Sequence, residues 1–137
     1  MTNLPPITVS TVDLERLYRV LDDAPESVYA TAVALENELA RAQVVDPEDM
    51  PPDVVTMRSI VRFQIIPGGR EFELTLCYPD EMDNNPHKVS VLAPVGAAIL
   101  GLSAGQEIDW PAPGGGQVKV VVLGVTWQPE RAGMIRL

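Results

Sequence analysis

A single cysteine, Cys77, and a single histidine, His87, occur in the 137 residues of this chain. One cysteine cannot close an internal disulfide, so nothing in the sequence points to an oxidising compartment. Cys77 follows Leu76 at the end of an apolar alternation, where a small buried side chain is expected rather than a nucleophile. His87 lies in Asn84-Asn85-Pro86-His87, a loop composition without a second histidine or cysteine at zinc-ligand spacing. Neither a zinc site nor a Cys/His catalytic pair is therefore suggested.

Positive charge is also scarce. Ten Lys and Arg against nineteen Asp and Glu leave a formal charge of −9 and a pI near 4.4. Phosphate contacts need cations that displace counterions, so independent binding to DNA or RNA is not expected, whereas a protein partner or a basic cavity is. The longest apolar run, Leu92 to Leu102, is too short and too interrupted by glycine to cross a bilayer. Met-Thr-Asn-Leu-Pro-Pro at the N-terminus lacks the basic region and apolar core of a signal peptide, and a cytoplasmic location is expected. Gly114-Gly115-Gly116 lacks the Lys-Ser/Thr of a phosphate-binding loop and precedes a strand-like run, so it reads as a turn.

What the chain does have is pattern. Leu14, Leu17, Tyr18 and Leu21 recur at helical spacing, with Asp13, Glu15, Arg16 and Arg19 between them. This predicts an amphipathic helix from Thr11, capped by Ser10 or Thr11, with Asp13 near the positive end of its dipole. Asp22-Asp23-Ala24-Pro25-Glu26 ends it, since Pro25 disfavours helix before itself and suits the first turn of the next. Val28, Ala32, Leu35, Leu39 and Ala42 then form a seam over a second helix from Ser27 to Gln43, as in an antiparallel hairpin. The two helices would be about 15 and 25 Å long. Asp46 to Asp53 holds three prolines and four acids, which favours extended, solvated backbone. It divides the expected organisation into a helical hairpin at 1–50 and a second domain at 51–137.

Beyond that division the period becomes two. Val61, Phe63 and Ile65, then Phe72, Leu74 and Leu76, alternate with polar residues around Pro67-Gly68-Gly69-Arg70, which reads as a β-hairpin. A short strand near Val89 leads to a helix bounded by Pro94 and Gly101. A strand through Ile108 and Trp110, a loop over Pro111 to Gly116, and a long β-branched strand from Val118 to Trp127 complete an α+β domain. Trp110 and Trp127 are expected in the core or at its rim.

Tyr78-Pro79-Asp80-Glu81-Met82-Asp83, followed by Val89-Ser90-Val91-Leu92-Ala93-Pro94-Val95-Gly96 and on to Ile108, resembles the C-terminal domain of the Gre transcript-cleavage factors. With its short helical N-terminal segment, the chain resembles the branch of that family named for regulation of nucleoside diphosphate kinase. The resemblance implies an FKBP-like antiparallel β domain with one short helix, behind a short helical hairpin. It also implies RNA polymerase as partner, bound at the rim of its secondary channel, and no cofactor.

Two residue sets become candidates through this resemblance. Gre factors carry metal-holding acids at the tip of a long coiled coil, and Asp22, Asp23 and Glu26 occupy the hairpin tip here. Carboxylates suit a hard divalent cation, but acids are also ordinary turn and helix-flanking residues. Leu92, Ala93, Pro94 and Val95 match the corner by which Gre factors dock, with apolar residues where those factors have polar ones before the proline. Leu92, Val95, Ile99 and Leu100 also suit simple packing of the helix on the sheet, and Ala93 and Pro94 are the expected surface contacts.

The hairpin is shorter than a Gre coiled coil. The expectation is a non-enzymatic, monomeric transcription regulator that competes with Gre factors at the polymerase without stimulating transcript cleavage. Regulation of nucleoside diphosphate kinase level or activity is the second possibility. A prolyl isomerase is suggested by fold analogy alone, against which stands the scatter of Phe63, Phe72, Tyr78, Trp110 and Trp127 over separate strands.

Overall fold

The computed structural model describes residues 4–111 and 115–134. Ser10 caps the first helix, its Oγ accepting from the Asp13 amide at 3.0 Å, and α1 runs over Thr11–Asp22. Leu17 is the fully buried residue of its apolar stripe, while Tyr18 is exposed. Pro25 opens a single 3-10 turn, Glu26–Val28, so α2 starts two residues later than the pattern predicts and covers Tyr29–Arg41. Helices of 12 and 13 residues are about 18 and 20 Å long.

The hairpin is closed at its base by two strands too short to show a period in the sequence. β1, Thr8–Ser10, leads into α1; β2, Gln43–Val45, leaves α2; the two pair in parallel. Glu38, buried on α2, receives two bonds from the Arg41 guanidinium, at 2.5 and 2.7 Å, and Arg41 also donates to the Pro5 carbonyl. This joins the last turn of α2 to the segment before β1.

Asp46–Asp53 is less extended than its composition predicts. Pro47–Asp49 makes a 3-10 turn, and Pro47 and Met50 are buried. The fully buried Gln128 anchors the adjoining backbone, donating to the Pro51 and Val54 carbonyls at 2.8 Å each. A side-chain amide from the far end of the chain thus satisfies backbone groups that would otherwise require water.

The main sheet comprises β3 (Ile60–Ile66), β4 (Arg70–Cys77), β5 (Lys88–Ser90), β6 (Glu107–Pro111) and β7 (Gln117–Trp127), in the order β5-β4-β3-β7-β6. The β3–β4 hairpin places Phe63 opposite Phe72, with ring centroids 5.3 Å apart. Most pairings are antiparallel; β5 differs, running parallel to β4 because the chain crosses over between Tyr78 and His87 before re-entering the sheet. Of the expected loop between β6 and β7, positions 112–114 lie outside the described residues, as do positions 1–3 of the N-terminal stretch.

One short helix, α3 (Pro94–Ile99), covers the sheet, as the Pro and Gly boundaries predict. Gly96 lets it approach closely: a Cβ there would stand 2.0 Å from the Ser90 carbonyl oxygen. Gly101 ends the turn with φ +81°, where its carbonyl accepts from the Thr8 amide at 3.1 Å and its amide donates to the Val55 carbonyl at 2.8 Å. Leu17, Leu35 and Leu39 of the hairpin share one buried cluster with Phe63, Leu76, Val91, Ile99 and Val122. Helices this short are marginal alone, and this shared core holds them, at roughly 1.5–3 kcal/mol for each fully buried large apolar side chain.

Candidate functional site

The first turn of α1 touches the β body through a buried acid. Asp13, expected as a partner of the helix dipole, is 7% exposed; its Oδ2 accepts from the Met57 amide at 3.2 Å and its Oδ1 from the Tyr78 hydroxyl at 3.4 Å. Burial pushes its carboxyl up to about 6, the nearby Glu130 charge adds to this, and the Met57 amide, Arg16 and the Tyr78 hydroxyl oppose it. Tyr78 is itself buried, which raises its phenol; the Asp13 charge acts in the same direction, and Arg16 and Arg58 act against it.

Next to Met57, Arg58 adopts a left-handed backbone with φ +69°. An arginine does so at a cost, and the surroundings hold it there. Its amide donates to the Leu76 carbonyl at 2.6 Å. Its guanidinium donates from Nη2 and Nε to Glu81 Oε2, at 2.7 and 3.0 Å, and stands 5.5 Å from the centre of the Tyr78 ring. Glu81 ends the 3-10 turn Pro79–Glu81 and accepts from the Tyr78 amide as well. Burial alone would raise the Glu81 carboxyl; the Arg58 bonds and the Tyr78 amide outweigh that and hold it below its ordinary value.

Above this pair lies a cleft of about 520 Å³ between α1 and the body. Arg16, Arg19 and Val20, which share one face of α1, and Asp23 just past its end form one wall; Pro79, Asp80 and Glu81 form the other; Arg58, Tyr78 and Leu92 also line it. Ala24 and Pro25 close the end towards the hairpin tip.

The cleft brings together one member of each candidate set. Asp23 of the tip and Leu92 of the corner both line it, although Leu92 is only 6% exposed and packs in the core. Asp22 and Glu26 are exposed at the tip, and Glu26 borders a smaller groove with Leu21, Tyr29 and Val33. Ala93 is half-buried. Pro94 and Val95, also half-buried, face another way, into an apolar hollow of about 280 Å³ shared with Ile65 and Trp110. Ile99 and Leu100 are buried. Among the described residues, no group of three His, Cys, Asp or Glu side chains is placed to hold a metal ion.

Sequence pattern gives Asp13 only as a partner of the helix dipole and Tyr78 only as part of a turn, and it marks neither Arg16 nor Arg58 as a site residue. The Tyr78-Pro79-Asp80-Glu81 turn did carry a local signal, a proline at the first helical position and a glutamate at the third. Cys77 is buried, which raises its thiol, and its Sγ lies 3.3 Å from Met82 Sδ; His87 is exposed.

The hairpin, the mixed sheet and the single covering helix define a class. Residues 50–126 match the family described as "Transcription elongation factor, GreA/GreB, C-term", and residues 5–45 match "Rnk N-terminus". The chain belongs to the GreA/GreB family, in the branch with an Rnk-type N-terminus. It is 43% identical over 129 residues to the "Regulator of nucleoside diphosphate kinase" of Escherichia coli (strain K12), covering 94% of this chain and 95% of that one. A "Transcription elongation factor GreA" from Clostridium perfringens (strain SM101 / Type A) is 34% identical over 93 residues, 68% of this chain and 58% of its own. A solved structure, "Prokaryotic transcription elongation factor GreA/GreB from Nitrosomonas europaea", superposes with a TM-score of 0.68 at 49% identity, over 90% of this chain and all of that one.

Proposed function

We propose that this protein is a non-enzymatic, cytoplasmic regulator of transcription that binds RNA polymerase at its secondary-channel rim as a monomer. In this reading residues 51–137 dock through Ala93, Pro94 and Val95, and residues 1–50 present the tip acids Asp22, Asp23 and Glu26. The observation that carries it is the shortness of the arm within a Gre-type molecule. Its helices have 12 and 13 residues, and α1 is held against the body through Leu17 and Asp13 rather than projecting from it. A tip so close to the docking surface does not reach a metal deep in a channel, so competition with Gre factors without stimulated cleavage is the expected behaviour.

The test is a polymerase pull-down followed by competition with a Gre factor and a transcript-cleavage assay on a stalled complex. Binding, competition and unstimulated cleavage are expected. Stimulated cleavage refutes the argument from reach, and absence of binding removes the reading altogether.

The name of the E. coli relative favours a second reading, a role in controlling nucleoside diphosphate kinase. An effect exerted through transcription accounts for such a name without contact. On that account the rate of purified kinase is unchanged by added protein, and a changed rate establishes direct modulation instead.

A further inference from the structure

We propose that the cleft beneath α1 is a docking site for a segment of a protein partner that carries a single acidic residue among apolar ones. One carboxylate side chain of that segment sits between Arg16 and Arg19, and a neighbouring apolar side chain lies on Val20, Pro25 and Leu92. This goes beyond the polymerase reading and holds for whichever protein supplies the segment.

Charge complementarity carries the assignment. Three of the chain's ten cationic residues line this one cleft beside three carboxylates, Asp23, Asp80 and Glu81, so that in a molecule of net charge −9 the wall around Arg16 and Arg19 is locally cationic. Of these, Arg58 is engaged with Glu81. Arg16 is half-buried at the cleft wall, where its guanidinium bonds the Tyr78 side chain and acts on the Asp13 charge from a distance; among the described residues it makes no direct ion pair, which leaves donors for a ligand. Among the described residues Arg19 pairs only with Glu15, through side chains 72% and 69% exposed, an arrangement that adds little stability and exchanges readily. Two planar guanidinium forks three residues apart on one helix face suit a carboxylate, which each can bind through two parallel bonds.

The rest of the lining decides against other anions. Asp23 and Asp80 face the same space and repel every negative charge a ligand brings, so a ligand with one carboxylate is favoured over one with several. Val20, Pro25, Pro79 and Leu92 give apolar surface beside the arginines, which a partner's hydrophobic side chain covers. The Arg58–Glu81 pair over Tyr78, built on a left-handed backbone, stiffens one side of the site before anything binds.

The experiment is an amide NMR titration of the full chain with a blocked Leu-Glu-Leu-Phe peptide, its Leu-Gln-Leu-Phe counterpart, and adenosine monophosphate. The Glu peptide is expected to shift the amides of Arg16, Val20, Tyr78 and Leu92 saturably, and the Gln peptide to bind about tenfold more weakly. In the R16Q/R19Q double variant the Glu peptide falls to the level of the Gln peptide. Equal binding of the two peptides, shifts outside the cleft, or tighter binding of adenosine monophosphate overturns the proposal. If the double variant loses its native spectrum, the comparison of peptides on the unchanged chain decides by itself.

Discussion

Asp13 carries more consequence than any other single residue, because a carboxylate buried between helix and body is disfavoured in its charged form. Its folded value of about 6 lies above the 3.8 of an ordinary aspartate, so neutral Asp13 is the better fit. Its contribution to stability is complete below pH 3.8 and is lost as the pH rises through about 6. A shift of this size corresponds to about 1–3 kcal/mol. Asp13→Asn keeps an acceptor for one of its two donors and removes the titration. In urea unfolding between pH 7.5 and 4.5, the difference in stability between the native chain and D13N is expected to change by about 1–3 kcal/mol in favour of the native chain at low pH. The other carboxylates, including the oppositely shifted Glu81, are common to both proteins and cancel. Parallel profiles would rule out the buried charge as the cause.

At the scale of elements, the approach of α3 to β5 is the least forgiving contact. Gly96 leaves no room for a methyl group, since its Cβ would stand 2.0 Å from the Ser90 oxygen and 2.9 Å from the Ser90 carbonyl carbon. Both are backbone atoms, so relief requires moving the helix that carries Pro94 and Val95. Gly96→Ala is expected to cost about 2–3 kcal/mol, read as a thermal midpoint lower by roughly 5–15 °C. Gly124→Ala in β7 is the control. A Cβ there meets nothing within 4 Å, and the midpoint is expected to hold or rise slightly. Because α3 sets the corner, G96A should also weaken polymerase binding if that corner is the docking surface.

For the whole molecule, the relevant quantities are charge and reach. Asp22, Asp23 and Glu26 are exposed together at the hairpin tip of a chain with net charge −9. If their field assists approach to a partner, D22N/D23N/E26Q weakens binding more at low salt than at high salt, because charges beyond about 10 Å are screened at 0.1 M ionic strength. Equal loss at both salt concentrations assigns the acids a contact role or none. Reach belongs to this scale too, since it depends on how α1 lies against the body and on no single residue.

Everything local and periodic was legible in the order of the residues. Leu14 to Leu21 placed α1, Ser10 its cap, Val61 to Leu76 the β3–β4 hairpin, and Pro94 with Gly101 the short helix, because these depend on spacing and on backbone preferences of a few residues. Tertiary packing alone set the parallel pairings of β1 with β2 and of β5 with β4, because β1, β2 and β5 have three residues each and carry no period. It alone buried Asp13, turned Arg58 left-handed over Tyr78, and set Asp23 and Leu92 along one cleft. Residues far apart in the chain meet there only because a shared core pulls the hairpin onto the sheet, and no local pattern encodes that distance.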